Sequence, residues 1–345
     1  MKRFLLPVAK ALLAAAALHA VVTIARGGGA GEGRAALLDE RVGRLRTIEV
    51  QYAPAAGFVT RTWVEFFRAL PAEVEVIVAV EKPEHAAEFS RLIGRAVRPV
   101  VTGRTITTWA RDRFVTAADG ALIVPPEPHL GGAARRNDRS VPFVVAKALG
   151  REVRIAPFRF DGGDFTRAYD RVFASVAWAE RNADIPLEEL LRRAEAVFGE
   201  PVIYLPDAPR HHVGMVFAPV GGNAFAVGDV RLGRRLAPAG FDADGSEETA
   251  RRFDAVAAAL AARGYGVVRV PAVPSTKDYA WVTYTNGVFA DSTLWLPVFG
   301  LEALDREAIA AWRGLGFDVR PVDVSAVWRQ GGTLHCLVHV LERGR

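Results

Sequence analysis

The sequence contains only one cysteine and two methionines in 345 residues. A single cysteine excludes a disulfide within the chain, and it excludes any zinc site built from several cysteines. Basic runs interleaved with aromatic residues are also missing, which argues against a nucleic-acid-binding protein. The formal net charge of +5 is instead scattered along the chain.

Hydrophobic residues are plentiful by contrast. They make up 50% of the chain, and charged residues make up 24%. This balance excludes an intrinsically disordered protein, and it provides enough apolar material for a globular core. The length allows two domains or one large domain.

The first 26 residues have the composition of a targeting segment. Lys2 and Arg3 precede an apolar stretch from Phe4 to Ala25, which Lys10 interrupts. A basic start followed by an apolar region is typical of a secretory signal. The stretch also has about the ~20 residues of a membrane-spanning helix, and no clear cleavage site follows it. A cleaved signal peptide, an uncleaved membrane anchor and a buried first helix therefore remain open, and we expect a periplasmic, secreted or membrane-anchored protein.

Glycines follow this segment and predict a flexible linker. The glycine-rich run spans residues 27–33, and we assign residues 27–44 to the linker and residues 45–345 to one folded domain. Export to an oxidising compartment favours paired cysteines. The lone Cys336 is therefore either a buried, inert thiol or a functional one.

From residue 45 onwards, strand and helix patterns alternate. The order strand pair, helix, strand occurs about five times without sequence identity between the units. The pattern predicts a helix capped by Ser246, a strand over Val213–Pro219 and a last strand over Thr333–Leu341. Prominent residues recur at similar points of successive units: Asp112, Asp164, His212, Asn286 and Cys336. This spacing predicts an α/β fold of quasi-symmetric units that each present one loop to a common centre.

Five short segments contain side chains suited to catalysis. They are Trp109-Ala-Arg-Asp112, Asp161-Gly-Gly-Asp164, His211-His212, Tyr284-Thr-Asn286 and Gly331-Gly-Thr-Leu-His-Cys336. Taken singly, each has an ordinary structural explanation, such as a small buried hydrophobe for Cys336 or a Gly-Gly turn. On the predicted strand, His212 and Gly214 share one face. His212 rather than His211 is therefore predicted to face an open site.

Together, the segments resemble the motifs of the agmatine deiminase and peptidylarginine deiminase group. The order is W-x-R-D, then [ED]-G-G-[ND], then H-x-D before an apolar strand, and finally G-G-x-x-H-C, which is the most specific part. The resemblance covers nearly all of residues 45–341. It implies a guanidino-group-modifying enzyme with the pentein fold, a five-bladed α/β propeller of pseudo-fivefold strand-pair/helix/strand units. The five units found from periodicity agree with this fold.

The resemblance implies a catalytic role for three residues. Cys336 matches the family nucleophile, and His212 matches the histidine that acts as general acid and base. Asp161 stands where many relatives have Glu, and it is expected to orient the histidine or to pair with substrate nitrogens. A thiolate can attack the guanidinium carbon once a nearby cation lowers the pKa of the thiol.

Three further residues are expected to bind the substrate: Asp112, Asp164 and Trp109. Asp112 matches the carboxylate that holds the planar guanidinium through charge-assisted hydrogen bonds. The resemblance implies a small-molecule guanidine or an arginine-containing peptide as partner, and no metal or organic cofactor.

The sequence departs from the family pattern at Gly214. There the H-x-D motif would place a second guanidinium-binding carboxylate, unless Asp161, Asp164 or a loop residue such as Asp278 replaces it. We therefore expect poor activity on free agmatine, and a preference for a substituted guanidine or for an arginine held by other contacts. Arg113 is either a solvated side chain or a partner for a substrate carboxylate.

The implied reaction is hydrolysis of a guanidino group. It gives a ureido product and ammonia through a covalent thiouronium intermediate. Two alternatives remain open, namely amidino transfer to an amine and a non-catalytic, guanidine-binding pentein, which Gly214 favours. The sequence leaves the oligomeric state open.

Overall fold

The computed structural model describes residues 36–127, 132–276 and 280–344. The predicted export segment, the glycine-rich run and Asp278 lie outside the described residues. Within the described ranges, none of the helices combines the length and the apolar composition that a membrane crossing requires.

Strands in the described part of the chain form five small sheets. In chain order they are β1 (Arg44–Tyr52), β2 (Glu75–Val80), β3 (Arg98–Val101), β4 (Val115–Thr116), β5 (Leu122–Val124), β6 (Val153–Ile155), β7 (Phe165–Ala168), β8 (Arg171–Ala174), β9 (Val202–Tyr204), β10 (Phe217–Gly221), β11 (Ala224–Asp229), β12 (Gly266–Val273), β13 (Val282–Thr283), β14 (Val288–Ala290), β15 (Thr293–Val298), β16 (Asp318–Asp323) and β17 (Val338–Gly344).

Helices connect the strands within each unit. In chain order they are α1 (Thr60–Ala69), α2 (Pro83–Ile93), α3 (Ala133–Asn137), α4 (Val141–Leu149), α5 (Val176–Arg181), α6 (Leu187–Phe198), α7 (Val230–Leu236), α8 (Glu247–Ala261), α9 (Glu302–Gly314) and α10 (Leu334–Leu337).

The five sheets share one plan. An antiparallel pair is followed by helices and then by a strand parallel to the second of the pair, as in β4-β5-β6, β7-β8-β9, β10-β11-β12 and β14-β15-β16. In the remaining sheet, β17 is the antiparallel partner of β1, and β2 and β3 continue in parallel. Pairing of β17 with β1 places the first and last described strands in one unit. The predicted α/β fold of five strand-pair/helix/strand units is confirmed.

Local sequence signals account for the principal elements. The helix α8 begins as predicted at Ser246, whose side chain accepts a hydrogen bond from the backbone N–H of Thr249. Helix α6 buries Leu190, Ala194 and Phe198, which lie four residues apart on one face. Such amphipathic helices pack their apolar faces onto the sheets. The turns between the elements remain available to hold the candidate site residues.

The largest part of the hydrophobic core joins the sheet of β1 and β17 to the sheet of β14 to β16. Bulky aromatic side chains dominate it, among them Trp63, Phe66, Trp295 and Trp312, each at most 1% exposed. The smaller clusters also join neighbouring units, for example Ile123 of β5 with Val172 of β8. The units therefore bury their apolar surfaces against one another.

Two of the strands predicted from the sequence begin later than predicted, at Phe217 and at Val338. Residues 213–215 form a single 3₁₀ turn before β10, and residues 334–337 form the one-turn helix α10 before β17. The backbone N–H of Met215 bonds to the carbonyl of His212, and that of Cys336 bonds to the carbonyl of Thr333. A short apolar run fits a buried turn as well as a buried strand, so periodicity alone could not distinguish them.

The predicted linker extends too far along the chain. Leu37 is only 4% exposed and pairs with Ala117 in a β-bridge, and the side chain of Glu40 contacts Arg111 and His335. Residues 36–43 therefore pack against the domain as an integral segment. Composition could not reveal this, because the partners lie more than 70 residues away in the sequence.

Candidate active site

The singled-out residues lie at equivalent places in the five units. Each sits in the turn just before the first strand of its unit's antiparallel pair: Asp112 before β4, Asp164 before β7, His212 before β10, Asn286 before β14 and Cys336 before β17. The near-regular spacing in the sequence therefore reflects one structural position repeated around the fold.

Four of these turns border a pocket of about 490 Å³, and Asn286 does not line it. Five of the six predicted site residues line it, and Asp164 does not. Three arginines also line it, namely Arg135, Arg181 and Arg210. Sequence inspection missed these arginines, because arginine is common throughout the chain and none of the three lies in a recognised motif.

The Gly-Gly turn lets two backbone segments approach the site closely. A Cβ atom at Gly162 would overlap the carbonyl oxygen of Arg111, and one at Gly163 would overlap the imidazole ring of His212. Only glycine fits at these positions. The turn therefore supports the ring of His212 as well as the acids on either side of it.

Asp161 lies between two arginines and the histidine. Its Oδ1 is 3.2 Å from Nη2 of Arg113, and its Oδ2 accepts a hydrogen bond of 3.0 Å from Nη2 of Arg181. The same Oδ2 is 3.8 Å from Nε2 of His212. Arg113 is only 2% exposed, so it is a buried partner of Asp161 rather than a solvated side chain.

Asp164 does not fit its predicted role in substrate binding. It is fully buried, and its Oδ1 accepts a hydrogen bond of 2.6 Å from the hydroxyl of Ser175. Its Oδ2 accepts hydrogen bonds from the backbone N–H of Asp161 and from Arg181. Both carboxylate oxygens are therefore occupied within the protein, and Asp164 holds Arg181 and the Gly-Gly turn in place.

The surroundings of His212 favour its protonated form. Burial disfavours the charged imidazole, but the interactions with Asp161 and Cys336 and the charges of Asp112 and Asp164 outweigh burial and raise the pKa of His212 well above its usual value. A protonated imidazole can donate its proton to a departing group. This arrangement suits a nucleophile and its general acid.

His211 has a different environment, although it also borders the pocket. Its Nδ1 accepts a hydrogen bond of 2.8 Å from the backbone N–H of His212, and its ring packs 4.7 Å from that of Trp281. Burial and the neighbouring positive charges lower the pKa of His211 well below its usual value. A neutral, packed imidazole serves to fix the backbone of His212.

Cys336 lies in α10, and its thiol is buried at the edge of the pocket. The sulfur donates a hydrogen bond of 3.4 Å to Oδ1 of Asn286. The same oxygen accepts a hydrogen bond of 2.5 Å from the hydroxyl of Thr333. The sequence drew attention to Asn286 without assigning it a role, and the structure makes it a direct neighbour of the sulfur.

Asp112 offers one unused oxygen. Its Oδ2 accepts a hydrogen bond of 2.6 Å from Nη2 of Arg135, while its buried Oδ1 has no hydrogen-bond partner among the described residues. A buried acceptor without a partner is costly, because it loses its hydration. Asp112 can therefore receive an N–H donor from a guanidinium while it remains paired with Arg135.

Trp109 forms one wall of the pocket next to the loop of Cys336. A Cβ atom at Gly332 would stand 2.6 Å from the Trp109 ring and 3.1 Å from Cβ of Cys336. The glycine therefore lets the indole approach the loop that carries the sulfur. A planar guanidinium can stack on an indole face.

The side chain of Asn286 lies close to the position that a carboxylate at residue 214 would occupy. A Cβ atom built on Gly214 would be 2.9 Å from Nδ2 of Asn286. Asp161 and Asp164 are held by arginines as described above, and Asp278 lies outside the described residues. A neutral amide, rather than a replacement acid, is therefore the nearest side chain to this position.

Comparison with known proteins supports the resemblance. The family model for Porphyromonas-type peptidyl-arginine deiminase matches residues 229–340. No curated protein sequence matches the chain significantly.

Solved structures match over most of the chain. An agmatine deiminase from C. jejuni is 16% identical with a TM-score of 0.70, and the match covers 90% of this chain and 97% of that protein. An agmatine deiminase from Enterococcus faecalis is 14% identical with a TM-score of 0.67, covering 89% and 95%. A putative arginine deiminase from Porphyromonas gingivalis is 16% identical with a TM-score of 0.66, covering 88% and 96%. The resemblance to the agmatine and peptidylarginine deiminase group is confirmed.

Proposed function

We propose that this chain is a cysteine-dependent hydrolase that converts a guanidino group into a ureido group and ammonia. The observation that carries the proposal is the convergence of Cys336, His212, Asp161 and Asp112 on one pocket. The raised pKa of His212 and the unused oxygen of Asp112 support it. A protein with only a structural pentein fold has no chemical need for this set.

The proposed reaction begins with binding of the guanidinium to Oδ1 of Asp112. This contact holds the planar cation by charge-assisted hydrogen bonds and brings its carbon towards the sulfur of Cys336. The thiolate adds to that carbon, and the imidazolium of His212 protonates the departing nitrogen. Ammonia leaves, and an S-linked thiouronium remains on the cysteine.

Water completes the cycle. Neutral His212 takes a proton from water as the oxygen adds to the thiouronium carbon. The carbon–sulfur bond then breaks, the sulfur leaves as thiolate, the remaining hydroxyl proton passes to solvent, and the neutral ureido product dissociates. Overall, one water is consumed and one ammonia is released. Asp161 supports both steps, because it stabilises the protonated form of His212.

The arginines of the pocket favour a substrate with a carboxylate. Arg135, Arg181 and Arg210 line the pocket, and each is also ion-paired with an acid of the protein. Each guanidinium carries five N–H donors, so these arginines can still donate to a substrate carboxylate, whereas the ammonium group of agmatine has no acceptor to offer them. An arginine with a free carboxylate, alone or at the end of a peptide, carries the charge that these arginines attract.

Export remains part of the proposal. The basic and apolar N-terminal sequence supports a periplasmic, secreted or membrane-anchored enzyme. Amidino transfer to an amine differs only in the group that attacks the thiouronium, so it is the second candidate reaction. A binding protein without turnover is the third, and the absence of an acid at Gly214 favours it.

The test is ammonia release from a panel of guanidines. The panel contains free arginine, agmatine, methylated arginines, and peptides with internal or C-terminal arginine. We expect turnover of substrates with a free carboxylate in preference to agmatine, and we expect Cys336→Ser to abolish it while melting like the wild type. Retained activity in Cys336→Ser would refute the mechanism. Pocket binding without ammonia or amidino transfer would support the binding protein instead.

A further inference from the structure

Glu40 contacts the residues that immediately precede the nucleophile and the guanidinium-binding acid. Its Oε1 is 2.8 Å from Nε2 of His335, the neighbour of Cys336. Its Oε2 accepts a hydrogen bond of 3.1 Å from Nη2 of Arg111, the neighbour of Asp112. One carboxylate thus connects two turns that lie more than 200 residues apart in the sequence.

The segment that carries Glu40 is held firmly against the domain. We call residues 36–43 the N-terminal strap. The backbone N–H of Glu40 bonds to the carbonyl of Arg167 over 3.0 Å, and its own carbonyl accepts a hydrogen bond of 2.6 Å from Arg343. Leu38 donates from its backbone N–H to the carbonyl of Thr116 over 2.8 Å. The backbone of Glu40 therefore has little freedom.

The surroundings of Glu40 favour its ionised form. Burial raises the pKa of this carboxyl, but the charge interaction and hydrogen bond with His335 and the positive charges of Arg111 and Arg343 outweigh burial and hold the pKa of Glu40 below its usual range. A charged acceptor forms stronger hydrogen bonds than a neutral one. The carboxylate therefore keeps its contacts with His335 and Arg111 across the neutral pH range.

Arg111 extends this connection to the third turn of the site. Its Nη2 also donates to the carbonyl of Phe165 over 3.1 Å, and its own carbonyl abuts Gly162 in the Gly-Gly turn. Glu40 itself does not line the pocket that Asp112 and Cys336 share. It cannot touch a substrate there, so any influence on reactivity acts through its neighbours.

We propose that Glu40 is a positioning residue, which fixes the turn of Cys336 relative to the turn of Asp112 by clamping His335 and Arg111. The clamp rests on the proposed function for its effect on turnover. A misplacement of about 1 Å in a catalytic geometry can cost about 10²-fold in rate. The strap is accordingly part of the working site, although it precedes the domain predicted from the sequence.

The test compares Glu40→Gln with Asp39→Asn in the full-length chain. Asp39 lies in the same strap and pairs with Arg167 over 3.0 Å rather than with the two neighbours of the site. Both variants remove one negative charge, so Asp39→Asn controls for general loosening of the strap. We measure the melting temperature, kcat and KM, and the pH profile of Cys336 alkylation by iodoacetamide.

We expect Glu40→Gln to lower kcat by about 10²-fold with little change in KM, and to shift the alkylation profile, because a displaced sulfur leaves its present contacts. Asp39→Asn should leave both close to wild type. Unchanged kcat and alkylation in Glu40→Gln, or equal losses in both variants, would overturn the clamp. If Glu40→Gln does not fold, we test Glu40→Asp, which keeps the charge and shortens the side chain. A lower kcat with a shifted alkylation profile would support the clamp, and unchanged values would overturn it.

Alkylation needs no substrate, so it separates this proposal from the proposed function. A shifted profile in Glu40→Gln supports the clamp even if no guanidine in the panel is hydrolysed. Conversely, turnover by the wild type with an unshifted profile and unchanged kcat in Glu40→Gln supports the hydrolase and overturns the clamp.

Discussion

The side-chain amide of Asn286 stands where a side chain at Gly214 would need space, because a Cβ atom there would be only 2.9 Å from Nδ2 of Asn286. The same amide accepts hydrogen bonds from Cys336 and Thr333 through its oxygen. Glycine at 214 and asparagine at 286 therefore form a matched pair beside the nucleophile. The missing family carboxylate cannot be restored by one substitution without disturbing this pair.

The first prediction concerns that pair. Gly214→Asp alone should lower stability by about 1–3 kcal/mol, because the added side chain overpacks the site. In the background of Asn286→Ala, the same aspartate should raise kcat/KM for agmatine by about ten- to a hundredfold, since a charged hydrogen bond is worth about 1.5–3 kcal/mol. Steady-state kinetics and thermal melts measure both effects.

Gly214→Ala is the control for this pair, since it adds the Cβ atom without the charge. It should share part of the stability loss and give no gain on agmatine. If Gly214→Asp in the Asn286→Ala background also gives no gain, the absent acid does not limit guanidinium binding.

The second prediction follows from the raised pKa of His212. Turnover needs the imidazolium as acid, so kcat/KM should stay level through neutral pH and fall only when His212 loses its proton. Asp161→Asn removes a partner that favours the charged form, so it should move this fall to lower pH. Asp184→Asn, which removes an acid on the surface, should leave the profile unchanged.

The stability of the protein should respond to the same group. The folded-state pKa of His212 lies above the unfolded value of about 6.5, so the folded state binds the proton more tightly. This contribution is fully present below about pH 6.5 and is lost as the pH rises through the folded-state pKa. Urea denaturation of wild type and His212→Gln across this range measures it, and a constant difference between them would contradict the raised pKa.

The third prediction separates two acids that the sequence grouped together. Asp164→Asn should cost about 1–3 kcal/mol of stability, because it removes the fully buried carboxylate that holds Arg181 and the Gly-Gly turn, and it leaves Arg181 with Asp161 alone. Asp112→Asn should instead weaken catalysis by about ten- to a hundredfold with a smaller stability loss, since Oδ1 of Asp112 has no partner in the described part of the protein. If Asp112→Asn instead lost mainly stability and Asp164→Asn lost mainly activity, Asp164 would be the substrate-binding acid and Asp112 the structural one.

The fourth prediction concerns substrate charge. Arg135→Gln should raise KM for arginine with a free carboxylate by about ten- to a hundredfold, and it should lower KM for agmatine because it removes a positive charge from the pocket. Arg136→Gln is the matched control, since Arg136 is an exposed neighbour that does not line the pocket. Equal changes in KM for the two substrates would show that Arg135 does not distinguish between them.

The number of units and the placement of the main site residues could be predicted from the sequence. Alternating apolar patterns reveal strands and helices because burial of one face imposes their periods. The glycine-flanked segments around Asp161 and Cys336 are equally visible, because close backbone approach requires glycine at fixed positions. Short buried turns such as residues 213–215 escape this reasoning, since their apolar residues have no distinctive period.

Only the tertiary structure assigned roles that depend on contacts between distant units. Asp164 has the sequence context of a site residue, yet Ser175 and Arg181 occupy both of its oxygens. Glu40 has the context of a linker, yet it pairs with residues 71 and 295 positions away. The sequence by itself determined which side chains could do the chemistry, because reactivity is a local property of residue type. Which of them face the pocket was decided by the fold, because desolvation and ion pairing depend on neighbours that the chain order does not reveal.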